Sequence, residues 1–108
     1  MNLKIDVLKD KDESTVLLMG EIDVYTAPQL KDRILPLTLI ENHLIVVDLA
    51  NVNYMDSTGL GVFIHALKSS KQHKSRLKLV HLQDRVLRLF KITGLNEIIH
   101  INSGVRWK

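Results

Sequence analysis

One apolar run followed by a hydroxyl- and glycine-rich turn constrains this chain more than any other feature. The run Leu44–Ala50 is apolar except for Asp48, which is typical of a central strand covered on both sides or near its end. It leads through Asn53–Val62 into a segment with apolar residues at helical spacing, namely Leu60, Phe63, Ile64 and Leu67. The sequence therefore predicts that a buried strand passes at Asp56-Ser57 into a helix N-terminus, where backbone N–H groups are unpaired and negative charge is tolerated.

The chain before this junction predicts a hairpin and a helix. Leu3–Leu8 alternates apolar and polar residues, and Thr15–Met19 is a second strand pattern closed by Gly20. A short charged turn joins them, so we expect an antiparallel pair. Thr26 is then a candidate N-cap for a helix that buries Ala27, Leu30, Ile34 and Leu37. Because Pro36 lacks a backbone donor, we expect it to kink or end that helix.

The chain after the junction repeats the alternation of strands and helices. Arg76–Leu82 predicts a strand, Asp84 is a candidate N-cap, Gly94 is a candidate helix end, and Glu97–Ile101 predicts a last short strand. Right-handed crossovers between such elements place the later strands parallel in one sheet. The predicted fold class is an α/β sandwich, with a mixed, mostly parallel sheet of four to five strands and helices packed against it.

Composition limits the classes of protein that fit. A chain of 108 residues with 45% apolar residues predicts one domain over 1–108, with a single core. The absence of cysteine excludes disulfides and thiolate metal sites and is compatible with the cytoplasm. We expect no signal peptide and no membrane span, because no apolar run is long enough. A formal charge of +3 with interspersed acids does not argue for nucleic-acid binding.

Enzymatic and nucleotide-binding interpretations fit the junction poorly. Met55-Asp56-Ser57-Thr58-Gly59 is not the Gly-x-Ser-x-Gly of a serine hydrolase, and an extra residue interrupts the Asp-Ser-Gly of an aspartic protease. Gly59 and Gly61 would let a phosphate approach the backbone, but the lysine of a P-loop is missing. The simpler alternative is that Ser57 or Asp56 caps the helix and both glycines allow close packing on the sheet. We expect no catalytic residues.

Other polar clusters favour ordinary surface roles. The five histidines lack metal-ligand spacing, so we expect no metal or cofactor and mostly exposed histidines. Glu21 and Asp23 lie just beyond the second strand, where a solvated turn is commoner than an acid–base pair. The basic residues Arg85, Arg88 and Lys91 are typical of an exposed helix face.

Three blocks of the sequence resemble one protein family. They are Gly20–Pro28 with its Glu-Ile-Asp, Tyr54–Gly61 with its Asp-Ser-Thr-Gly, and Arg88–Leu95 near the predicted last helix. In this order and at these separations they strongly resemble the STAS domain of anti-sigma factor antagonists, most of all those of the general-stress, sigma-B type. The similarity covers almost the whole chain and implies a STAS-type sandwich.

The resemblance also implies a partner-switching function rather than catalysis. The dephosphorylated protein would bind a serine-kinase anti-sigma factor and free its sigma factor, in a bacterial stress response. Phosphorylation of Ser57 would inactivate it, and a PP2C-type phosphatase would reverse this. Thr58 is a possible second acceptor. The partner surface implied by the matching blocks comprises Asp23, Asp56, Ser57, Thr58, Gly59 and Gly61.

Two alternatives stay open at the level of sequence. One is a STAS phospho-switch module with an output other than a sigma factor, and the other is a small nucleotide-binding protein that uses the helix start at Ser57–Gly61. We expect a monomer or weak dimer. The basic tail Arg106-Trp107-Lys108 is either an anchor for a partner or a segment that lies back on the domain.

Overall fold

A five-stranded sheet forms the centre of the molecule in a computed structural model that describes residues 2–102. Its strands follow the order of the chain, β1-β2-β3-β4-β5. Strand β1 (Leu3–Lys9) pairs antiparallel with β2 (Glu13–Ile22). Strands β3 (Leu44–Met55), β4 (Arg76–Val80) and β5 (His100–Asn102) continue the sheet in parallel pairs. The predicted mixed, mostly parallel sheet is confirmed.

Three helices connect the parallel strands. They are α1 (Ala27–Thr38), α2 (Ser57–His73) and α3 (Asp84–Thr93), and a 3-10 turn at Leu95–Glu97 precedes β5. Each connection leads to the next strand in the same direction across the sheet. Right-handed crossovers of this kind place all three helices on the same face.

Burial along the strands agrees with a sheet covered on one face. Ile45, Val47 and Leu49 of β3 are fully buried, whereas the alternate residues Val46 and Asp48 are half-buried. The interpretation of Leu44–Ala50 as a strand covered on both sides was therefore wrong. The predicted central position is confirmed, since β3 lies between β2 and β4.

Two strands extend beyond their apolar patterns because they pair with each other. Gly20 does not end β2: its φ of 125° and the approach of the Asn2 carbonyl, 2.2 Å from where a Cβ would be, require a glycine inside the strand. A register shift follows, and Glu21 and Ile22 pair with Tyr54 and Met55. The polar end of β3 thus forms a strand because it pairs with β2, and not because its own residues have an apolar pattern.

The ends of the other elements differ from the predictions by a few residues. Helix α1 has Thr26 at its N-cap as predicted, but it passes Pro36 and ends at Thr38. A proline in the last turn removes only one donor, and the turn closes by Leu39 N–H donating to the Pro36 carbonyl.

Helix α3 and the two strands beside it show similar shifts. Gln83, not Asp84, is the N-cap of α3, while Gly94 ends the helix in the left-handed conformation, as predicted. Strand β4 ends at Val80 rather than Leu82 because His81 adopts a φ of 60°. Strand β5 begins only at His100, since the 3-10 turn occupies the start of the predicted strand. The tail Arg106-Trp107-Lys108 lies outside the described residues.

Candidate functional site

The junction between β3 and α2 is built around the Asp56 side chain. Its carboxylate accepts hydrogen bonds from Thr58 N–H at 2.9 Å and from Gly59 N–H at 3.3 Å. Asp56 is the N-cap, in an extended conformation, and Ser57 is the first residue of the helix. Of the two capping candidates, the structure selects Asp56 because its side chain satisfies two of the unpaired donors of the first turn.

The Ser57 side chain is thereby left free at the surface. Ser57 is exposed, and within residues 2–102 no hydrogen bond involves its hydroxyl. It lies at the positive end of the 17-residue helix α2, whose first turn carries no acidic residue. A phosphoryl group on this oxygen would therefore sit beside a helix end that stabilises negative charge.

Asp23 forms a second, closely similar junction between β2 and α1. Its carboxylate accepts from Tyr25 N–H at 2.9 Å and from Thr26 N–H at 3.0 Å, and the residue is only 6% exposed. The Thr26 hydroxyl donates to the Glu21 carbonyl at 2.8 Å. The prediction of a solvated turn at Glu21 and Asp23 was therefore wrong: Glu21 lies within β2, and Asp23 is buried inside its own turn.

Strand pairing brings the two junctions together. Ile22 pairs with Met55, and Asp56 N–H donates to the Ile22 carbonyl at 3.2 Å. The residues that follow these two strand ends, Asp23 and Asp56, therefore lie at the same edge of the sheet. The structure places the Glu-Ile-Asp block beside the Asp-Ser-Thr-Gly block, although about thirty residues separate them in the chain.

The two glycines of α2 have different surroundings. A Cβ on Gly59 would lie 2.7 Å from side-chain atoms of Ile22 and Met55, so this position requires a glycine for close packing on the strand ends. A Cβ on Gly61 would meet no atom within 4 Å, and Gly61 is exposed. The prediction of close packing is confirmed for Gly59 and wrong for Gly61.

A surface groove between α1 and α2 adjoins Ser57. Val24, Pro28 and Lys31 line one side, and Thr58, Gly61 and His65 line the other. Val24 is exposed, and Tyr25, the next residue, has 80% of its surface exposed. Of these residues, the sequence interpretation included only Thr58 and Gly61. The one sequence feature that could have indicated this surface is Val24-Tyr25, a pair of large apolar residues between the polar residues of a turn.

The predicted histidine positions and the question of a metal site can be compared with the structure over residues 2–102. In the 2–102 range, no three His, Asp, Glu or Cys side chains are arranged to hold a metal ion. His65, His73, His81 and His100 are exposed as predicted, but His43 is buried, with its Nε2 2.7 Å from the Ser14 hydroxyl oxygen. Of the helices described, none is long and apolar enough to span a bilayer.

Known proteins resemble this chain over nearly its full length. The sequence matches the STAS domain family over residues 4–106. It is 46% identical to the anti-sigma-B factor antagonist of Listeria monocytogenes over 95% of this chain and 91% of the relative. It is 43% identical to the anti-sigma-B factor antagonist of Staphylococcus epidermidis over 96% of both chains.

Solved structures share the fold at lower sequence identity. An anti-sigma factor antagonist from Mycobacterium paratuberculosis superposes with a TM-score of 0.84 at 23% identity, over 96% of this chain and 88% of that one. The Bacillus cell fate determinant SpoIIAA in its phosphorylated form superposes with a TM-score of 0.70 at 17% identity, over 93% of this chain and 90% of that one. These likenesses establish the fold of the whole sheet and its helices.

Proposed function

This chain belongs to the STAS domain family, and we propose that it is an anti-sigma factor antagonist controlled by phosphorylation of Ser57. In the dephosphorylated form it binds a serine-kinase anti-sigma factor and so frees a sigma factor. The kinase transfers a phosphoryl group to the Ser57 oxygen, and a PP2C-type phosphatase removes it. The relatives named as anti-sigma-B factor antagonists support the role in this circuit.

One observation carries the proposal that this junction can be modified: Asp56 takes the capping role, so the Ser57 hydroxyl has no structural task. Within residues 2–102 the Thr58 hydroxyl is free as well, and the choice of Ser57 follows from its place directly after the aspartate in the block that resembles the family. If the Ser57 oxygen were the cap, phosphorylation would place a bulky, charged group on the atom that holds the first turn. Here the cap hydrogen bonds come from Asp56. Ser57 can therefore be modified while the first turn of α2 keeps its cap.

The electrostatics of the helix start explain how one phosphate would switch binding without unfolding the protein. The group adds about −1.5 to −2 charge, which the N-terminus of α2 stabilises. Asp56 adds a like charge next to it, so a partner surface that fits a neutral hydroxyl would have to bury unpaired negative charge. The structure of SpoIIAA in its phosphorylated form has the same fold, which supports the proposal that this fold tolerates a phosphate.

The two aspartates and the groove define the surface that we assign to the kinase. Asp23 and Asp56 each hold one of two junctions that lie side by side. Ser57 and Thr58 present exposed hydroxyls at the start of α2. Val24 and Tyr25 add exposed apolar area at the same edge. Such a mixed surface, with apolar residues beside hydroxyls, suits a partner that binds only while Ser57 is uncharged.

The test measures modification and binding in the same set of variants. Wild type, Ser57→Ala, Thr58→Ala and the double variant Ser57→Ala/Thr58→Ala are incubated with ATP and the host's serine-kinase anti-sigma factor and then analysed by intact-mass spectrometry. We expect one phosphate on wild type and on Thr58→Ala, and none on Ser57→Ala. A phosphate on Ser57→Ala that is missing from the double variant would identify Thr58 as a second acceptor.

Binding of the same kinase to two Ser57 variants then tests whether negative charge at this position is what prevents binding. We expect Ser57→Ala to bind like wild type and Ser57→Asp to bind about 100-fold more weakly, which corresponds to about 2.7 kcal/mol. Circular dichroism of Ser57→Asp should match that of wild type, because the cap is Asp56. Tight binding by Ser57→Asp would contradict the electrostatic explanation, and failure of the kinase to modify wild type would contradict the assignment of Ser57.

A further inference from the structure

A basic groove lies at the end of the sheet opposite to Ser57. It is about 440 Å³ in volume and is formed by the last turns of α2, the first three residues of β4 and the start of β5. Lys71, Arg76, Lys78 and His100 contribute its basic side chains, and no Asp or Glu lines it. Leu44 at the start of β3 also lines it, whereas Asp56 follows the other end of that 12-residue strand. The two sites are therefore separated by on the order of 30 Å.

The charge of this groove comes from an unusual segment of the sequence. Residues 57–83 contain five Lys or Arg and no Asp or Glu, although the whole chain has twelve acidic residues. Among residues 2–102, the structure shows a single contact between a carboxylate and a basic side chain, His81 to Asp48 at 3.2 Å. Within that part of the chain, Lys71, Arg76 and Lys78 thus have no carboxylate partner.

Helix stabilisation accounts for only part of this charge. Lys71 and His73 lie in the last turn of α2, where a positive charge stabilises the helix end. Arg76 and Lys78 lie on β4, where no helix end requires them. Like charges on neighbouring elements repel one another, so their concentration here lowers stability unless a negative ligand binds.

The uncharged part of the groove narrows the chemistry of that ligand. Aliphatic side chains also line it, and one of them, Ile98, has 55% of its surface exposed. Of residues 2–102, no Phe, Tyr or Trp lines it, whereas sites for single-stranded nucleic acids and nucleotide bases commonly stack rings on such side chains. The Ser70 and Ser75 hydroxyls already donate to the Leu67 and Thr38 carbonyls. The groove thus combines basic side chains with aliphatic ones. A short peptide segment that carries both carboxylates and an apolar side chain would complement this combination.

We propose that this basic groove is a second docking surface, which binds an acidic segment of a partner protein that also carries an aliphatic residue. The segment's carboxylates contact Lys71, Arg76 and Lys78, and its aliphatic side chain packs near Ile98. Because the groove lies far from Ser57, a partner held there binds equally well whether or not Ser57 carries a phosphate. This inference does not depend on the proposed function.

The test uses a synthetic 12-residue peptide of Asp, Glu and Leu, titrated into the full-length protein labelled for two-dimensional NMR. We expect the largest shift changes at Lys71, Arg76, Lys78, Ile98 and His100. Replacing each Leu of the peptide with Ser should weaken binding at least fivefold. A 12-nucleotide single strand of DNA at the same salt should bind more weakly than the peptide.

Matched variants separate the groove from general electrostatics. Arg76→Glu/Lys78→Glu and Lys4→Glu/Lys9→Glu make the same change in net charge on strand residues, and only the first pair lies in the groove. We expect at least a tenfold loss of peptide affinity for the first pair and less than twofold for the second. If the first pair does not fold, Lys71→Glu, at an exposed position of α2, takes its place, with an expected loss of at least threefold.

Three results would overturn the proposal. They are an equal loss in both double variants, shift changes that lie outside the groove, and tighter binding of DNA than of the peptide. Ser57→Asp should bind the peptide within twofold of wild type, and a larger change would refute the independence of the two ends. None of these outcomes depends on whether a kinase modifies Ser57.

Discussion

Two junctions with the same local geometry have different parts in this molecule. In Asp23–Thr26 and in Asp56–Gly59, an aspartate at the end of a strand accepts hydrogen bonds from the N–H groups two and three residues later. The residue after the aspartate is exposed in both, but it is Val24 in one junction and Ser57 in the other. The shared turn supports both strand ends, but only the junction that exposes a serine offers a hydroxyl for phosphorylation.

The two junctions also differ in how tightly they are built in. Asp23 is buried and Thr26 is tied to the Glu21 carbonyl, whereas Asp56 is half-buried and Gly59 brings α2 against the strand ends. The first junction has an additional polar contact through Thr26, and the second has close packing at Gly59 in addition to the Asp56 hydrogen bonds. Substitutions in each junction therefore distinguish the two forms of support.

The largest effect on stability is expected at Gly59. A Cβ there would meet Ile22 and Met55 at 2.7 Å, so Gly59→Ala should lower the free energy of unfolding by about 2 kcal/mol through overpacking. Gly61→Ala is the matched control: with open space around the Cβ, it should raise stability by roughly 0.5–1 kcal/mol through helix propensity. Urea unfolding of both variants measures the difference, and equal effects would refute the packing role of Gly59.

The two aspartates should come next. Asp23→Ala removes a buried carboxylate that accepts from the Tyr25 and Thr26 N–H groups and should cost about 2 kcal/mol. Asp56→Ala removes a more exposed cap and should cost about 1 kcal/mol. Thermal or urea unfolding tests the order, and each Asp→Asn variant, which keeps an acceptor oxygen, should recover part of the loss. A larger cost for Asp56→Ala would mean that the second junction is the better supported one.

The threonines should give the smallest difference. Thr26→Val removes a hydroxyl that donates to the Glu21 carbonyl, at an expected cost of about 1 kcal/mol. Thr58→Val changes a hydroxyl with no hydrogen bond among residues 2–102, so its cost should stay below about 0.5 kcal/mol. Chemical denaturation resolves such values when the slopes of the two transitions agree. A cost for Thr58→Val equal to that for Thr26→Val would assign Thr58 a structural role.

Much of the site was predictable because it is local. The apolar run of β3, the turn residues and the helical spacing after Ser57 are contiguous, and they place a hydroxyl at a helix start without any tertiary information. The choice of Asp56 over Ser57 as the cap was not predictable, since both side chains can accept from the first turn. Nor was the groove that joins Val24 and Lys31 to His65, because its two sides come from different helices.

By itself, the sequence determined the order of strands and helices and the position of Ser57 at a strand-to-helix junction. Those features depend on periodicity and turn chemistry within short segments. The tertiary structure alone decided that β2 and β3 continue to Ile22 and Met55, that Asp23 and Asp56 lie side by side, and that His43 is buried. Each of these depends on a pairing between residues far apart in the chain, and such a pairing cannot be predicted from local hydropathy.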